Sequence, residues 1–356
     1  MRGHSDDQTK MFFYFSPEDR VPEDHSLRPI KRDVDAVLTG LSPELDKLYA
    51  KTGRPSIPPE RLLKSSLLIA LYSVRSDRHF CLQLDYNIVF SWFLDMALEE
   101  KTLDQSNFSR LRERLVDTDI AKRFFQEVVN LADKRGLLSS DHFTVDGTLI
   151  EAWASHKSFR PKDGDGKPPD EGGDVNYRGE KRKNDTHQST TDPEAKLVRK
   201  GKGKEAKLSY GGHAIMENRN GLLVGLTIVD ATMTETAAAK TLVEELIRQG
   251  FDLKTLGGDK GYHCKDFVAF LREHGIAPHI AQVEGRKTPG LDRRTTRHES
   301  YRISQVVRKR IEEIFGWGKQ IGGLRKTRLR GQARNQLAGY LVGAAFNLLR
   351  MTRLAW

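Results

Sequence analysis

The first third of the chain has the hydrophobic spacing of helices. In PPERLLKSSLLIALYSVRS, apolar residues recur at intervals of three and four, and Pro58 and Pro59 stand where a helix can begin. CLQLDYNIVFSWFLDMAL is rich in apolar and aromatic residues and predicts a buried helix. SNFSRLRERLVDTDIAKRFFQEVVNLADKRG predicts one helix or two, ending at Gly136. We therefore predict a helical domain over residues 1–136.

The pattern changes after Gly136. HFTVDGTLIEAW has the β-branched and aromatic content of a strand, and SYGGHAIMENRNGLLVGLTIVDAT predicts two strands joined by a hairpin turn at Asn220-Gly221. A helix in ETAAAKTLVEELIRQG, a strand near 253–258, a helix near 265–274 and the strand APHIAQV follow. Helices near 304–317 and in LAGYLVGAAFNLLRM end the series. This order predicts an α/β domain over residues 137–356, a mixed sheet covered by helices.

A polar segment interrupts this second domain at about residues 155–207. It is rich in Lys, Gly, Pro and Asp and almost lacks large apolar side chains. So little apolar surface cannot build a core. We expect a flexible insertion there.

Composition and charge narrow the class of protein. Hydrophobic residues make up 37% and charged residues 30% of the 356 residues, and no apolar run is long enough to cross a bilayer. The N-terminal MRGHSDDQTK lacks the apolar core of a signal peptide, and Cys81 and Cys264 form no metal-binding pair. These features predict a cytoplasmic protein without a membrane partner.

Positive charge is concentrated in one part of the chain. The net charge is +10, and residues 284–330 contain fourteen Lys or Arg against five Asp or Glu. A polyanion such as DNA would explain this concentration, because each neutralised phosphate releases a counterion and adds affinity. A solvated basic face is the alternative.

Two aspartates are candidate metal ligands. Asp146 lies inside an apolar strand pattern, where an unpaired acid is costly and calls for an explanation. Asp259 follows the predicted strand in LGGDKGY, and acids at the carboxyl ends of strands are well placed to bind ligands. Phosphoryl transfer on DNA typically uses two Mg²⁺ ions held by carboxylates from distant parts of the chain.

Glu312 is the third candidate. Arg308, Glu312 and Lys319 are spaced by four and seven residues, so all three share one helix face at about 100° per residue. A carboxylate between two cations suits a metal ligand beside phosphate contacts, although an intrahelical ion pair with a solvated lysine explains the same spacing. Glu313 is a rival that lies about 100° away.

Two further acids compete with these three. Asp230 ends the strand LTIVD, and Glu151 ends the first strand pattern. Periodicity does not exclude either of them.

The candidate acids lie in blocks that resemble a known family. FTVDGTLIEAWASH, LGGDKGY and RKRIEEIFGWGK, followed by LAGYLVGAAFNLLR, look like the catalytic blocks and terminal helix of DDE transposases of the insertion-sequence-five group. RPSIPPERLLKSSLLIALY and SNFSRLRERL are similar to the helical region that precedes catalysis there. The resemblance covers roughly residues 35–350, and three blocks in the right order are a specific signal.

The resemblance implies a ribonuclease H-like catalytic domain. Its first Asp lies on the first strand, its second Asp after the fourth strand, and its Glu on a late helix. Asp146, Asp259 and Glu312 occupy these positions. The segment TTDPEAKLVRKGKGKEAKLSYGGH is similar to the family's linker between the first two strands, so the insertion is an expected feature.

The family's extended glutamate signature also contains a Tyr, an Arg and a Lys. Arg308 and Lys319 match two of these positions. Gln305 stands at the Tyr position, and Tyr301 lies one helical turn earlier. The chain therefore departs from the family's signature at the Tyr position.

The implied activity is cleavage of DNA at the ends of an insertion sequence, followed by attack of the 3′-hydroxyl on target DNA. Asp146, Asp259 and Glu312 would be both catalytic residues and ligands of two Mg²⁺ or Mn²⁺ ions. The implied partners are double-stranded DNA, as terminal inverted repeats and target, and further copies of the chain in a homodimer or higher oligomer on DNA. The protein would then be associated with the nucleoid. The candidate DNA-binding residues are Arg308, Lys319, Lys260, Arg310, Arg325 and Lys326.

Two other functions remain open from the residues alone. A metal-dependent DNA nuclease would cut without joining, and spacing does not separate it from a transposase. A non-catalytic repressor derived from a transposase would bind DNA only, although acids at all three positions argue against it.

Overall fold

The structure, a computed structural model, describes residues 16–50, 52, 56–97, 99–162, 182–201 and 203–354. The residues before the first strand are mainly helical, as predicted. Their helices are α1 (Pro17–Arg20), α2 (Leu27–Lys47), α3 (Pro59–Leu71), α4 (Asp77–Tyr86), α5 (Ile88–Phe93), α6 (Gln105–Arg114) and α7 (Ile120–Lys134).

One predicted helix is interrupted. The apolar stretch that begins at Cys81 is divided between α4 and α5 at Asn87. The Asn87 Oδ1 accepts hydrogen bonds from the backbone N–H groups of Val89 and Phe90, at 3.1 and 3.3 Å. Asn is a favoured N-cap residue because its side chain satisfies N–H groups that have no partner within the helix. The stretch is therefore helical, as predicted, but in two pieces.

The remaining residues form strands and helices in mixed order. They are β1 (Phe143–Glu151), β2 (Phe159–Pro161), β3 (His187–Ser189), β4 (Lys196–Arg199), β5 (Ala206–Glu217), β6 (Leu222–Asp230), α8 (Glu235–Arg248), β7 (Thr255–Gly258), α9 (Lys265–Glu273), β8 (Ala277–Ile280), α10 (Arg293–Thr296), α11 (Glu299–Val307), α12 (Ile311–Gln320) and α13 (Gln332–Leu354). Short 3-10 turns follow Asp259 and precede α12.

The main sheet has the order β6–β5–β1–β7–β8, and the short β4 also pairs with β5. β5 is antiparallel to β1, β4 and β6, whereas β1, β7 and β8 are parallel. The hairpin predicted at Asn220-Gly221 joins β5 to β6, and Gly221 has a φ of +69°, which favours glycine. Three antiparallel strands extended by two parallel ones form the ribonuclease H-like mixed sheet expected from the resemblance. The predicted fold class is thus confirmed.

The polar segment is ordered at both ends. β2 pairs with β3, and β4 pairs with β5. The buried Tyr210 hydroxyl donates to both carboxylate oxygens of Asp192, at 2.7 and 2.8 Å. A second apolar cluster, which includes Phe159 and Ala195, packs around Tyr210. The predicted flexible range of 155–207 is therefore too wide, and its centre, 163–181, lies outside the described residues.

The helical region and the sheet share one hydrophobic core. α13 packs against α2, α3 and α7 on one side and against β6 on the other. Phe125 of α7 stacks on Tyr340 of α13 with ring centroids 5.9 Å apart. The domain boundary between residues 136 and 137 remains a prediction. The hydrophobic core continues across it.

No helix among the described residues combines the length and apolar character that crossing a bilayer requires.

Candidate active site

Asp146 lies where β1 loses its neighbour on one side. β1 pairs with β5 along its whole length, but it pairs with β7 only at Phe143 and Thr144. Asp146 is just beyond that pairing and is partly buried. Its Oδ1 accepts a hydrogen bond from the N–H of Gly147 at 2.7 Å. The separation of β1 from β7 therefore opens a gap in the sheet beside this carboxylate.

Asp259 stands at the carboxyl end of β7, as predicted. It caps the 3-10 turn that follows, and its Oδ1 accepts from the N–H of Gly261 at 2.7 Å. The side chain is exposed. β7 is parallel to β1, so both aspartates lie toward the same end of the sheet.

Glu312 reaches the site from the first turn of α12. The helix predicted over 304–317 starts earlier, as α11, and tightens into a 3-10 turn at Arg308–Arg310 before α12 begins. Glu312 is exposed on this helix. Arg308 lies near β7, with its Cβ 3.7 Å from the position that a Cβ at Gly257 would occupy.

The charges of these residues act on one another. Burial raises the pKa of Asp146 above its ordinary value, and the negative charges of Asp259 and Glu312 raise it further. The hydrogen bond from Gly147 and the charge of Arg308 act in the opposite direction. The structure thus brings the three predicted acids and Arg308 into electrostatic contact.

A fourth carboxylate, which sequence reasoning missed, belongs to this group. Glu235 is the first residue of α8, where the Thr234 hydroxyl accepts from the N–H of Ala237. Burial raises the pKa of Glu235, and so do the charges of Asp259 and Asp146. An acid in the first turn of a helix ordinarily only complements the helix dipole, so the sequence carried no specific signal for this residue.

Two buried polar groups adjoin the carboxylates. His213 of β5 lies opposite Gly147 of β1, and its Nδ1 has no hydrogen-bond partner among the described residues. Burial lowers the pKa of His213 to about 4. The buried Tyr262 hydroxyl likewise has no partner in the described ranges, and burial and the charges of Glu235, Asp146 and Asp259 raise its pKa.

His213 also explains Gly147. A Cβ at Gly147 would lie 2.8 Å from the Nδ1 of the fully enclosed imidazole, which is closer than real Cβ atoms approach a heavy atom. Glycine is therefore required beside Asp146 on steric grounds.

The acids suit a divalent cation in chemistry. Mg²⁺ and similar ions prefer carboxylate oxygens, and none of the four acids takes part in an ion pair within the described ranges. In those ranges, however, no three His, Cys, Asp or Glu side chains already stand close enough to hold one ion. Three carboxylates near the partly buried Asp146, with Arg308 as the cation whose charge acts on it, nevertheless fit a site that attracts a further cation.

The competing acids have other partners. Glu151 forms ion pairs with Lys207 and Lys326, each at 3.1 Å. Asp230 accepts from the N–H and hydroxyl of Thr232 at 2.7 and 2.6 Å. Both acids therefore have local structural roles.

The predicted DNA-binding residues differ in position. Lys319 is half-buried and donates to the Thr148 hydroxyl on β1, and burial and the charges of Lys200 and Arg325 lower its pKa. Arg325 thus lies near Lys319, and Lys260 is exposed directly after Asp259. Arg308 is the one among these residues whose charge is seen to act on Asp146.

Arg310 and Lys326 are engaged elsewhere. The Arg310 guanidinium donates to the backbone carbonyls of Asn218 and Arg219 in the β5–β6 turn. Lys326 is held by Glu151. Neither contact involves the four acids. The Arg310 contact instead ties the segment before α12 to the β5–β6 turn.

Gln305 and Tyr301 both contact β8. The Gln305 side-chain amide donates to the carbonyl of His279 at 2.6 Å, and the Tyr301 hydroxyl donates to the carbonyl of Ile280 at 2.9 Å. The two residues one turn apart therefore anchor α11 to consecutive positions of β8.

Comparison with known proteins identifies the family. Residues 140–348 match the family model described as "Transposase DDE domain", and residues 15–114 match the one described as "Transposase domain (DUF772)". The chain therefore belongs to the transposase DDE domain family. Its function is that of a DNA transposase, in a family whose chemistry uses divalent metal ions.

Solved structures give only distant similarity. The cryo-EM structure of the piggyBac transposase synaptic complex with hairpin DNA is 10% identical, with a TM-score of 0.41 over 96% of this chain and 78% of that chain. The Mos1 transposase paired-end complex with the left transposon end is 9% identical, with a TM-score of 0.21 over 77% of this chain and 81% of that chain. No curated protein sequence matches the chain. The family assignment rests on the family models.

Proposed function

We propose that this transposase cuts and joins DNA with Asp146, Asp259 and Glu312 as its catalytic metal ligands. One observation carries the proposal. Asp146 is partly buried at the gap between β1 and β7, and the charges of Asp259 and Glu312, distant in sequence, act on it there.

The bound cofactor would be Mg²⁺ or Mn²⁺, as two ions. Such ions activate the attacking oxygen and stabilise charge on the leaving oxygen of a phosphodiester. Asp146 and Asp259 would hold them from the sheet, and Glu312 would hold them from α12. Membership of the insertion-sequence-five group, whose motifs the sequence resembles, is part of this proposal.

Three cations on the chain segments that carry the acids would position the DNA. Lys319 lies beside Thr148, Lys260 follows Asp259, and Arg308 lies next to the end of β7. Each can neutralise one phosphate, so that the scissile bond is held over the carboxylates. The substrates would be the inverted repeats at the ends of the element and the target DNA. Joining two ends would require a homodimer or a larger assembly on DNA.

The test uses DNA from both sides of the reading frame, incubated with purified protein and Mg²⁺. We expect cut ends and joined products from the wild type, and neither from Asp259→Asn, which should still bind DNA. Asp252→Asn is the matched control, because Asp252 is exposed just before β7.

Two results would contradict the proposal. Cut ends without joined products would indicate a nuclease. Full activity of Asp259→Asn would mean that the assigned acids are not the catalytic ones.

A further inference from the structure

We propose that Glu235 is a fourth metal-binding carboxylate of this site, and that it reaches the metal from the face of the sheet opposite to Glu312. The inference rests on the proposed function of Asp146 and Asp259 as metal ligands. It adds a ligand that lies outside the three acids of the motif.

The two glutamates come from helices on opposite faces. Neighbouring residues of a strand point to opposite faces, so Gly147 and Thr148 mark the two sides of β1. Lys319 of α12, the helix that carries Glu312, donates to Thr148. The Glu235 Oε1, in contrast, is 3.6 Å from the position that a Cβ at Gly147 would take.

Glu235 and Asp259 border the same small space. A Cβ at Gly261 would lie 3.1 Å from the Glu235 Oε2 and 3.0 Å from the Asp259 Oδ1. Gly261 leaves this space open between the two carboxylates. The charge of Asp146 also acts on Glu235. The carboxylates on the two faces of the sheet are therefore close enough to interact near the gap between β1 and β7.

An ordinary helix-dipole role does not account for this position. Glu235 is exposed, as a first-turn acid that complements the helix dipole commonly is, but such a role does not call for other anions beside it. Glu235 instead lies beside two aspartates, and no cation pairs with it within the described ranges. Like charges placed together cost energy unless a cation is shared between them.

The unpaired groups behind Glu235 point to a ligand independently. His213 is 4% exposed and Tyr262 is 0% exposed, and the Nδ1 of the first and the hydroxyl of the second have no partner among the described residues. Buried polar groups without partners are rare, because each costs about 1–3 kcal/mol. The water shell of a divalent cation beside Glu235 would supply partners for groups of this kind.

This arrangement divides the acids between two positions. Glu235 and Asp259 lie on either side of the space at Gly261, so they would share one ion there. Asp146 and Thr148 lie on the face of β1 that Lys319 of α12 contacts, so Glu312 would act from that opposite face.

The experiment measures Mn²⁺ binding to the full chain without DNA, by titration calorimetry and by the electron paramagnetic resonance signal of unbound Mn²⁺. The variants are Glu235→Gln, Glu235→Asp, Asp259→Asn and the control Glu244→Gln, an exposed acid on the same helix. Melting temperatures establish that each variant is folded. We expect Glu235→Gln to weaken Mn²⁺ binding by about 10-fold or more, as Asp259→Asn should, and Glu244→Gln to leave it unchanged.

Glu235→Asp separates a ligand from a nearby charge. It keeps the charge and shortens the side chain, so a direct ligand predicts weaker Mn²⁺ binding than in the wild type. Wild-type affinity in both Glu235 variants, with or without a lower melting temperature, would overturn the inference. If Asp259→Asn alone loses Mn²⁺, the proposed function stands and the role of Glu235 fails. If Asp259→Asn binds Mn²⁺ normally, the metal site itself is wrong.

Discussion

Glu313 is bound by Arg350 of α13, with 2.5 Å between its Oε2 and the arginine Nη1. The charge of the neighbouring Glu312 instead acts on the partly buried Asp146. Adjacent glutamates of one helix turn thus serve different parts of the molecule, one the last helix and the other the candidate active site.

This difference predicts opposite outcomes for the same substitution. Glu312→Gln should lower Mg²⁺-dependent DNA cleavage by at least about 100-fold, because a metal ligand should cost no less than an outer-shell partner. Glu313→Gln should leave cleavage unchanged and cost about 0.2–1 kcal/mol of unfolding free energy, as for other exposed ion pairs. Both variants are compared in one cleavage assay and one urea titration. Equal activities would show that the glutamate assignment is wrong.

Lys319 and Arg310 should separate DNA binding from stability. Lys319→Ala should weaken binding to any DNA sequence and reduce the slope of log affinity against log salt by about one, as expected for one lost phosphate contact. Arg310→Ala should instead lower the unfolding free energy by about 1.5–3 kcal/mol, because two carbonyls of the β5–β6 turn lose a charged donor.

Binding titrations at several salt concentrations and urea unfolding measure these two effects. Lys309→Ala is the control, since Lys309 is exposed in the same turn as Arg310. An unchanged salt slope in Lys319→Ala would remove this lysine from the DNA-binding surface.

Local patterns predicted most of the fold and pointed to three of the four acids of the candidate site. The alternation around Asp146 and the strand before Asp259 depend only on neighbouring residues, and the phase of Glu312 against Glu313 follows from helix geometry. Glu235 could not be found in this way, because its position beside Asp259 depends on which loop its helix end meets in space.

The number of charges likewise does not predict which cations are free to contact DNA. It treats all fourteen cations of residues 284–330 alike. Arg310 is nevertheless used by backbone carbonyls and Lys326 by Glu151, and only tertiary packing decides these partners.

The contact between Tyr210 and Asp192 should fasten the polar segment to the sheet. Tyr210→Phe leaves the buried Asp192 without its main donor and should lower the unfolding free energy by about 1–3 kcal/mol. Asp192 would retain the N–H of Gly331, at 3.2 Å. Urea unfolding measures the loss, and Tyr340→Phe is a matched control in the main core. An effect no larger than that of Tyr340→Phe would contradict this role.

His279 should make the protein less stable in mild acid. Burial lowers its pKa to about 4, with smaller contributions from His142, His298 and Arg272. Its Nδ1 and that of His142 both meet the Ser304 hydroxyl, at 2.6 and 2.9 Å, and its ring packs against Tyr301. The unfolded chain, with an ordinary pKa of 6.5, binds the proton first as the pH falls.

Stability linked to His279 is therefore complete above about pH 6.5 and decreases by about 3 kcal/mol by pH 4. His279→Asn keeps a polar atom near Ser304 but does not titrate, so its unfolding free energy should depend less on pH. Urea titrations between pH 7 and pH 4.5 provide the comparison. Parallel pH profiles for the two proteins would argue against this linkage.

The position of α13 has a consequence for damaged copies of the gene. This final helix is a common wall of the helical region and the sheet, and its buried residues include Leu341, Phe346 and Leu348. A frameshift or stop codon just before Gln332 leaves all four acids in the polypeptide but exposes apolar surface on both halves. Such late truncations should yield aggregated protein rather than a DNA-binding remnant, and should silence the gene as fully as early ones.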